Sequence, residues 1–489
     1  MADGAFQFAR RAYHSFSSER LIMNRIALIE SGVSAPTKFV YQVYPPHGLM
    51  YLASYLRSKK PDLKIKIFDL MVNRASAESI EKKLKNFSPD LIGIHAMHFQ
   101  AKSLHQIAQL AKKQTKAIVV VGGPYPSSEP KTALSDPNID IAVRGEGEIS
   151  FFELVDALSQ KKEIKAIPGI AYRKGEEIIL EPEREPIPDL DQIPFPAWDL
   201  IELEKFFDFK ILTQNDIRWK KELATIFTSR ACPYGCIYCH NIFGKRFRAR
   251  SPENVLGEIQ LLYNQYGVRE IHIIDDCFNF DMERAKKILK LIIAQKLDLK
   301  LAFPNGIRGD RLDPELIELL KTAGAYKLNF GIESGSQRIQ KLIHKGLDLE
   351  KIKQNIELVN KAGIFIHGFF MLGFPNETEA DIKKTIEFAI KSKIHTAGFA
   401  LLTPFPGTKV REMAEEMGRK VEFDPEDTSY ARIACNLTEL SDQKLKFYHR
   451  LAHWRFYFRI RQVFKIFWAI PNKWLLPRIF WAHFRLKFL

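Results

Sequence analysis

Cysteine is scarce in this 489-residue chain: there are five, and none in the first 231 residues. That excludes a disulfide-stapled scaffold. Long apolar runs are missing too. The longest stretch without charge, 39–56, spans 18 residues, and Pro45-Pro46 would break a spanning helix there. Residues 1–22 hold Arg10, Arg11 and Arg20 but no apolar core of a secretory signal. They read as a disordered leader, or as residues upstream of a start at Met23. Acid is scarce at the far end. Residues 441–489 carry 11 Lys/Arg against the single acid Asp442, which is +10 of the chain's +15. The basic character belongs to a tail, so a chain-wide nucleic-acid surface is disfavoured. No G-x-G-x-x-G follows the first apolar run, which disfavours a dinucleotide site.

What is present is alternation. Short apolar runs at 25–31 (RIALIES), 64–70, 91–96 (LIGIHA), 117–121 (AIVVV) and 139–143 read as strands. Helical spacing fills 48–58, 77–86, 101–113 and 149–159. Continuously apolar strands alternating with helices predict a parallel sheet covered on both faces, an open doubly wound, Rossmann-like domain over 23–160. Residues 161–205 are rich in proline and read as a hairpin and linker. A second series follows over 206–432, with strands at 224–229, 270–275, 300–303, 327–332, 365–371 and 398–402 and helices such as 252–266 and 314–323. Six β–α units predict a partial TIM-type (β/α)6 barrel, with its active site at the strand C-termini. Residues 433–489 read as a helical, basic and aromatic tail.

Three of the five cysteines fall within eight residues, Cys232, Cys236 and Cys239, directly after the first strand of the second series. Clustered thiolates in a cysteine-poor chain point to a metal centre, either iron–sulfur or zinc. A closed zinc site wants a fourth ligand. His240 adjoins Cys239 and is poorly placed to share its metal. Cys277 ends the next strand and reads as a small buried side chain, and Cys435 has no motif around it.

C-x3-C-x2-C with an aromatic, Tyr238, before its third cysteine resembles the signature of radical S-adenosylmethionine (SAM) enzymes. The resemblance covers about 220–415. It extends through IIDDCFNFD (273–281), the block 305–336 ending in GIESGS, FFMLGFPNET (369–378) and LLTPFPGT (401–408). It implies that Cys232, Cys236 and Cys239 bind a [4Fe-4S] cluster whose open iron takes SAM, and that an electron passed to the sulfonium yields a 5′-deoxyadenosyl radical. Tyr238, Asp275, Asp276, Arg308, Glu333 and Ser334 are the expected cofactor-side residues. The acids would hold the methionine ammonium, Glu333 and Ser334 the ribose or amino-acid moiety, and Arg308 a carboxylate. An electron donor such as flavodoxin or ferredoxin is implied.

PPHGLMYLASYL (45–56), VVVGGPYPS (119–127) and RGEGE (144–148), followed by DLDQIPFPAWDL, resemble the cobalamin-binding domain of class B radical SAM enzymes. Gly48, Leu49, Gly122 and Gly123 would cradle the corrin. The D-x-H-x-x-G motif that places an imidazole on cobalt is absent, and His95 reads as structural. The layout implies a cobalamin-dependent methyltransferase acting on an unactivated carbon. One SAM would methylate cob(I)alamin and a second would supply the radical. It also resembles anaerobic magnesium-protoporphyrin monomethyl ester cyclase, an oxidative cyclase. A methylthiotransferase would need amino-terminal cysteines, and a sensor or adaptor would not need the cysteine triad.

The tail has 14 aromatics within 441–489, including Trp454, Trp468, Trp474 and Trp481, interleaved with Arg450, Arg455, Arg459 and Arg461. It is expected either to cap the barrel or to meet an anionic membrane, with RNA stacking a third use. The membrane reading adds a hydrophobic or lipid-like small-molecule substrate. It places the protein in the cytoplasm, peripheral on the inner membrane face.

Overall fold

The computed structural model describes residues 23–32, 43–207, 218–240, 242–422, 430–470 and 473. The expected leader, Trp474 and Trp481 lie outside them. The described residues form two compact units, the first built from 23–32, 45–188 and 192–205 and the second from Phe206 onward together with 43–44 and 189–191.

The first unit is a seven-stranded sheet in the order β2-β1-β3-β4-β5-β6-β7. Its strands are β1 (Arg25–Glu30), β2 (Lys64–Asp69), β3 (Leu91–His95), β4 (Ile118–Gly122), β5 (Ile141–Val143), β6 (Ile170–Lys174) and β7 (Glu177–Leu180). The first five run parallel. The apolar runs of β1, β3 and β4 are continuous because both faces are covered. Ala27, Ile29, Ile92, Ile94, Val119 and Val121 pack on one side, and Ile26, Leu28, Leu91, Ile118 and Val120 on the other. The helices α1 (His47–Lys59), α2 (Ile80–Phe87), α3 (Ala101–Gln114) and α4 (Gly147–Ser159) follow the predicted spacing. The proline-rich hairpin does not stand apart. β6 pairs antiparallel with β5 and extends the sheet.

The second unit is a six-stranded parallel sheet in the order β15-β14-β13-β12-β11-β8. It comprises β8 (Leu223–Ile226), β11 (Glu270–Ile273), β12 (Lys300–Phe303), β13 (Ala325–Glu333), β14 (Phe365–Leu372) and β15 (Thr396–Leu401). A short antiparallel pair, β9 (Ser229–Arg230) and β10 (Arg248–Ala249), flanks the cysteine loop. Strand-to-helix turns are written into the sequence as caps. Ser251, Asp281, Asp313, Asp348 and Thr378 each accept a backbone N–H in the first turn of α5 (Pro252–Gln265), α6 (Met282–Ala294), α7 (Pro314–Thr322), α8 (Leu349–Lys361) and α9 (Glu379–Lys391). Each cap stabilises its helix by about 1 kcal/mol. α10 (Lys409–Glu416) follows the last strand.

The tail begins as a cap. α11 (Asp442–Tyr457) buries Leu445, Tyr448, His449, Ala452, His453, Phe456 and Tyr457. Tyr457 Oη both donates to Ala397 O and accepts from Ala397 N, and His449 and His453 both contact Phe399 O. These bonds cover the free edge of β15, which would otherwise expose unpaired backbone. α12 (Ile460–Ala469) follows. Among the described residues no helix is long and apolar enough to cross a membrane.

Candidate active site

The cysteine loop leaves β8 and is held from below. Asp275, 1% exposed, accepts from Thr228 N at 2.6 Å, Thr228 Oγ1 at 2.5 Å and Ser229 Oγ at 2.6 Å. Arg284 donates to Thr228 O at 2.6 Å and Arg250 O at 2.8 Å. Ala231, next to Cys232, is left-handed at φ 69°, a conformation an alanine adopts only when its surroundings impose it. Further along, buried Ile237 is pinned on both sides. Its N–H donates to Ile343 O, and its carbonyl accepts from Val410 N. The ring of Tyr238 packs on Phe374 at 5.8 Å. Cys232 and Cys236 are half-buried and Cys239 is exposed.

Desolvation by the surrounding loop, with the neighbouring thiols, pushes Cys236 and, although it is exposed, Cys239 up, Cys239 to about 12, whereas a hydrogen bond with Cys277 holds Cys232 below the usual thiol range. Thiols that resist ionising side by side become good ligands once a cationic iron cluster offsets their charge. A cubane takes one thiolate at each of three corners, and three free thiols on one short loop are that donor set.

The other expected residues separate into two groups. Glu333 and Asp276 face the site. Glu333 is left-handed at φ 65° and pairs with Lys345 Nζ at 2.8 Å, which lies 3.3 Å from Tyr238 Oη. A Cβ on Gly331 would lie 2.8 Å from both Glu333 Oε1 and Lys345 Nζ, so a side chain there would displace this pair. Burial alone would push the Lys345 ammonium down, but Glu333 and the nearby thiols outweigh it and hold it above its ordinary value. Asp276 is exposed, yet desolvation in the concave strand end and Asp275 alongside push it up to about 6.

Asp275, Arg308 and Ser334 are committed elsewhere. Asp275 has its carboxylate filled by the cysteine-loop donors. Arg308 forks onto Asp310 at 2.8 and 2.7 Å, donates to Lys345 O at 2.9 Å, and lies 4.1 Å from the Tyr234 ring centroid. Its carboxylate partner is thus internal. Ser334 is fully buried against Thr385 at 3.0 Å. Sequence reasoning missed Lys345, which reaches the site from a loop twelve residues past Glu333; its only signal was a lone basic residue ahead of Gly346. It also missed Arg284, an ordinary helix-surface residue by its spacing.

In the first unit the strand order reverses between β1 and β3, the place at which open α/β sheets take ligands beyond their strand C-termini. Gly48 is exposed in the first turn of α1, and Gly122 has open space, its nearest neighbour to an added Cβ being Val143 O at 3.6 Å. Gly123 differs. It is left-handed at φ 97°, and a Cβ would strike His95 Cδ2 at 2.5 Å and Ala96 O at 2.9 Å, so its bareness already serves His95. Leu49, 3% exposed, packs in the core, so its side chain is not free to meet a ligand there. His95 is tied by Nδ1 to Glu30 at 2.8 Å, which agrees with a structural role. Exposed Gly48 and half-buried, uncrowded Gly122 fit the approach of a flat macrocycle.

The Radical SAM superfamily model matches residues 226–389, and the B12 binding domain model matches 37–155. An uncharacterized methyltransferase of Pyrococcus horikoshii is 34% identical over 397 residues, covering 80% of this chain and 83% of that protein. The chain belongs to the cobalamin-binding radical SAM enzymes. Cytidylyl-2-hydroxyethylphosphonate methyltransferase of Streptomyces wedmorensis is 30% identical, covering 79% and 80%. Anaerobic magnesium-protoporphyrin IX monomethyl ester cyclase of Rubrivivax gelatinosus is 28% identical, covering 83% and 73%. The solved cobalamin-dependent SAM radical enzyme OxsB shares the fold, with a TM-score of 0.73 at 18% identity over 96% of this chain and 72% of that one. The cofactors of this radical SAM enzyme are a [4Fe-4S] cluster, SAM and cobalamin.

Proposed function

We propose that this enzyme transfers a methyl group to an unactivated carbon of a hydrophobic, lipid-like small molecule, drawing electrons from a flavodoxin or ferredoxin. The observation that carries the substrate class is the inner wall of the barrel. β14 turns His367, Phe369 and Met371 to the face opposite buried Phe370 and Leu372. Gly398 of β15 leaves space beside His367 and Phe369. Met371 packs against the cluster that seats Ile237, and Phe405 lies 5.6 Å from His240 at the end of the cysteine loop. The part of this wall beside the cysteines, Phe369, Met371 and Phe405, suits an apolar group of the substrate and keeps water from a reactive radical, while His367 and Asn329, in register with each other, make the adjoining wall polar.

The chain's own residues divide the work. Cys232, Cys236 and Cys239 hold the cluster. Asp276 and Glu333 take the ammonium end of SAM, and Lys345 its carboxylate. Asp275 and Arg284 fix the loop's entry, and Tyr238 and Ile237 its exit. Backbone at Gly48 and Gly122 supports the corrin. With these groups bound, the cluster supplies the electron that cleaves SAM and cobalamin supplies the methyl group.

One relative acts on a cytidylyl phosphonate by its name, so membership alone leaves the substrate class to the wall and the tail. Peripheral contact of 441–489 with the inner membrane face belongs to the same reading. The test is lipid profiling of a deletion strain complemented with wild type or with C232A/C236A/C239A. A lipid should shift down by one methyl equivalent in the deletion strain and return only with wild type. A change confined to the polar metabolites would reject the lipid-like class. The cyclase reading, favoured by the Rubrivivax relative, predicts a product with an added ring and no added carbon.

A further inference from the structure

α12 is seated the wrong way round for a surface helix. An ordinary one turns its apolar stripe inward. Here Gln462, 6% exposed, faces the barrel and donates to Ile394 O and His395 O. Arg459 donates to Ile390 O, and Lys465 to Lys393 O. Ile466 and Ala469, with buried Ile470 just past the helix, add apolar packing against Tyr326 and Phe365. The outward side carries Ile460, Val463, Phe464, Phe467 and Trp468, exposed by 70, 39, 58, 37 and 71%. Their spacing (i, i+3, i+4, i+7, i+8) makes one continuous stripe. Trp454 and Phe447 of α11 are also exposed, by 53 and 56%.

The two tail helices carry exposed cations, Arg450, Arg455 and Arg461, and no acid follows Asp442 in the chain; Glu387 of α9, the acid near Arg455, is itself paired with Lys391. Trp468 and Ala469 also border a cleft of about 330 Å³ whose wall includes Lys300, Lys321, Trp219 and Tyr326. A second copy of the chain docked through a two-fold axis would press these cations against themselves. An anionic lipid surface would neutralise them while covering the apolar stripe.

We propose that α12 is a membrane-docking helix. It lies in the plane of an anionic bilayer with Ile460, Phe464 and Trp468 in the acyl boundary, and the Lys300–Lys321 cleft takes a lipid phosphate. This deepens the lipid-like substrate reading by naming the surface that meets the source membrane. Its test needs no turnover, so it stands or falls separately from methyl transfer.

The experiment is co-sedimentation of the full chain with phosphatidylglycerol/phosphatidylcholine vesicles and with phosphatidylcholine alone, alongside F464S/W468S and K300E/K321E. Both residues of the first variant are more than half exposed, so folding is retained, and circular dichroism checks it. Wild type should bind the anionic vesicles only, and added salt should weaken binding. F464S/W468S should bind at least tenfold more weakly, and K300E/K321E severalfold more weakly. Brominated lipid should quench wild-type fluorescence more than that of W468F. Wild type remaining in the supernatant at low salt overturns the proposal. So does equal binding by F464S/W468S, or a wild-type dimer that this variant dissolves without any vesicle binding.

Discussion

Replacing Asp275 separates two roles that the sequence leaves merged. In the structure its carboxylate accepts three short hydrogen bonds from Thr228 and Ser229, four and three residues before Cys232. Hydrogen bonds to a charged group contribute about 1.5–3 kcal/mol each, and buried donors left unpaired cost about 1–3 kcal/mol. The three act on one short segment and do not simply add. Asp275→Ala should therefore cost about 3–5 kcal/mol. Asp275→Asn keeps an acceptor for Thr228 N and offers N–H to the hydroxyls, so about 1–2 kcal/mol is expected. Denaturant unfolding of the full chain reads the stability, and iron per chain after anaerobic reconstitution reads the loop. D275A should lose both stability and iron. D276N, at the exposed neighbour, should keep both and weaken SAM binding, seen as a smaller SAM-induced change in the reduced cluster's electron paramagnetic resonance. The reasoning is refuted if D275A is as stable and iron-loaded as wild type and loses only SAM affinity.

Alanine at Cys232, Cys236 and Cys239 together should abolish the cluster signal, whereas changing Cys277 or Cys435 should leave a four-iron cluster; spectroscopy of reconstituted protein decides. Gly122→Ala has room and should leave stability near wild type while lowering retained cobalamin. Gly123→Ala, at φ 97° and against His95, should lower the melting temperature as well. Asp69 is buried at the end of β2, and burial, followed by repulsion from Glu30, pushes it up to about 7. A carboxyl raised in the folded state stabilises fully below its ordinary range and loses that contribution as pH rises through about 7. Asp69→Asn should therefore stabilise at pH 8, by at most about 4 kcal/mol, and give no gain at pH 4; thermal melts at the two pH values check this.

Much of the fold was legible because burial writes itself into strand composition. RIALIE, LIGIH and IVVVG admit no solvent face, and Ser, Asp or Thr before each barrel helix announces its start. The cysteine spacing marked the candidate cluster loop directly. What sequence could not resolve was direction. Asp275 and Asp276 are adjacent in the turn after β11, and the fold buries the first while leaving the second exposed. Arg308 and Ser334 have suitable chemistry at suitable strand ends, but tertiary partners, Asp310 and Thr385, consume them. Lys345 joins the site only because the short helix Gln337–Leu342 turns the chain back toward Glu333. The proline-rich hairpin reads as a linker until its pairing with β5 is seen. In α12 the amphipathic period is plain in sequence, yet only the structure shows which side faces out.

The most direct test of the central claim is anaerobic turnover of the reconstituted, cobalamin-loaded enzyme with SAM carrying a deuterated methyl group, using lipid extract from the deletion strain as substrate. Mass spectrometry should find a lipid bearing the intact labelled methyl, formed together with 5′-deoxyadenosine and absent with C232A/C236A/C239A. Substrate-dependent 5′-deoxyadenosine without label in any product would contradict methyl transfer.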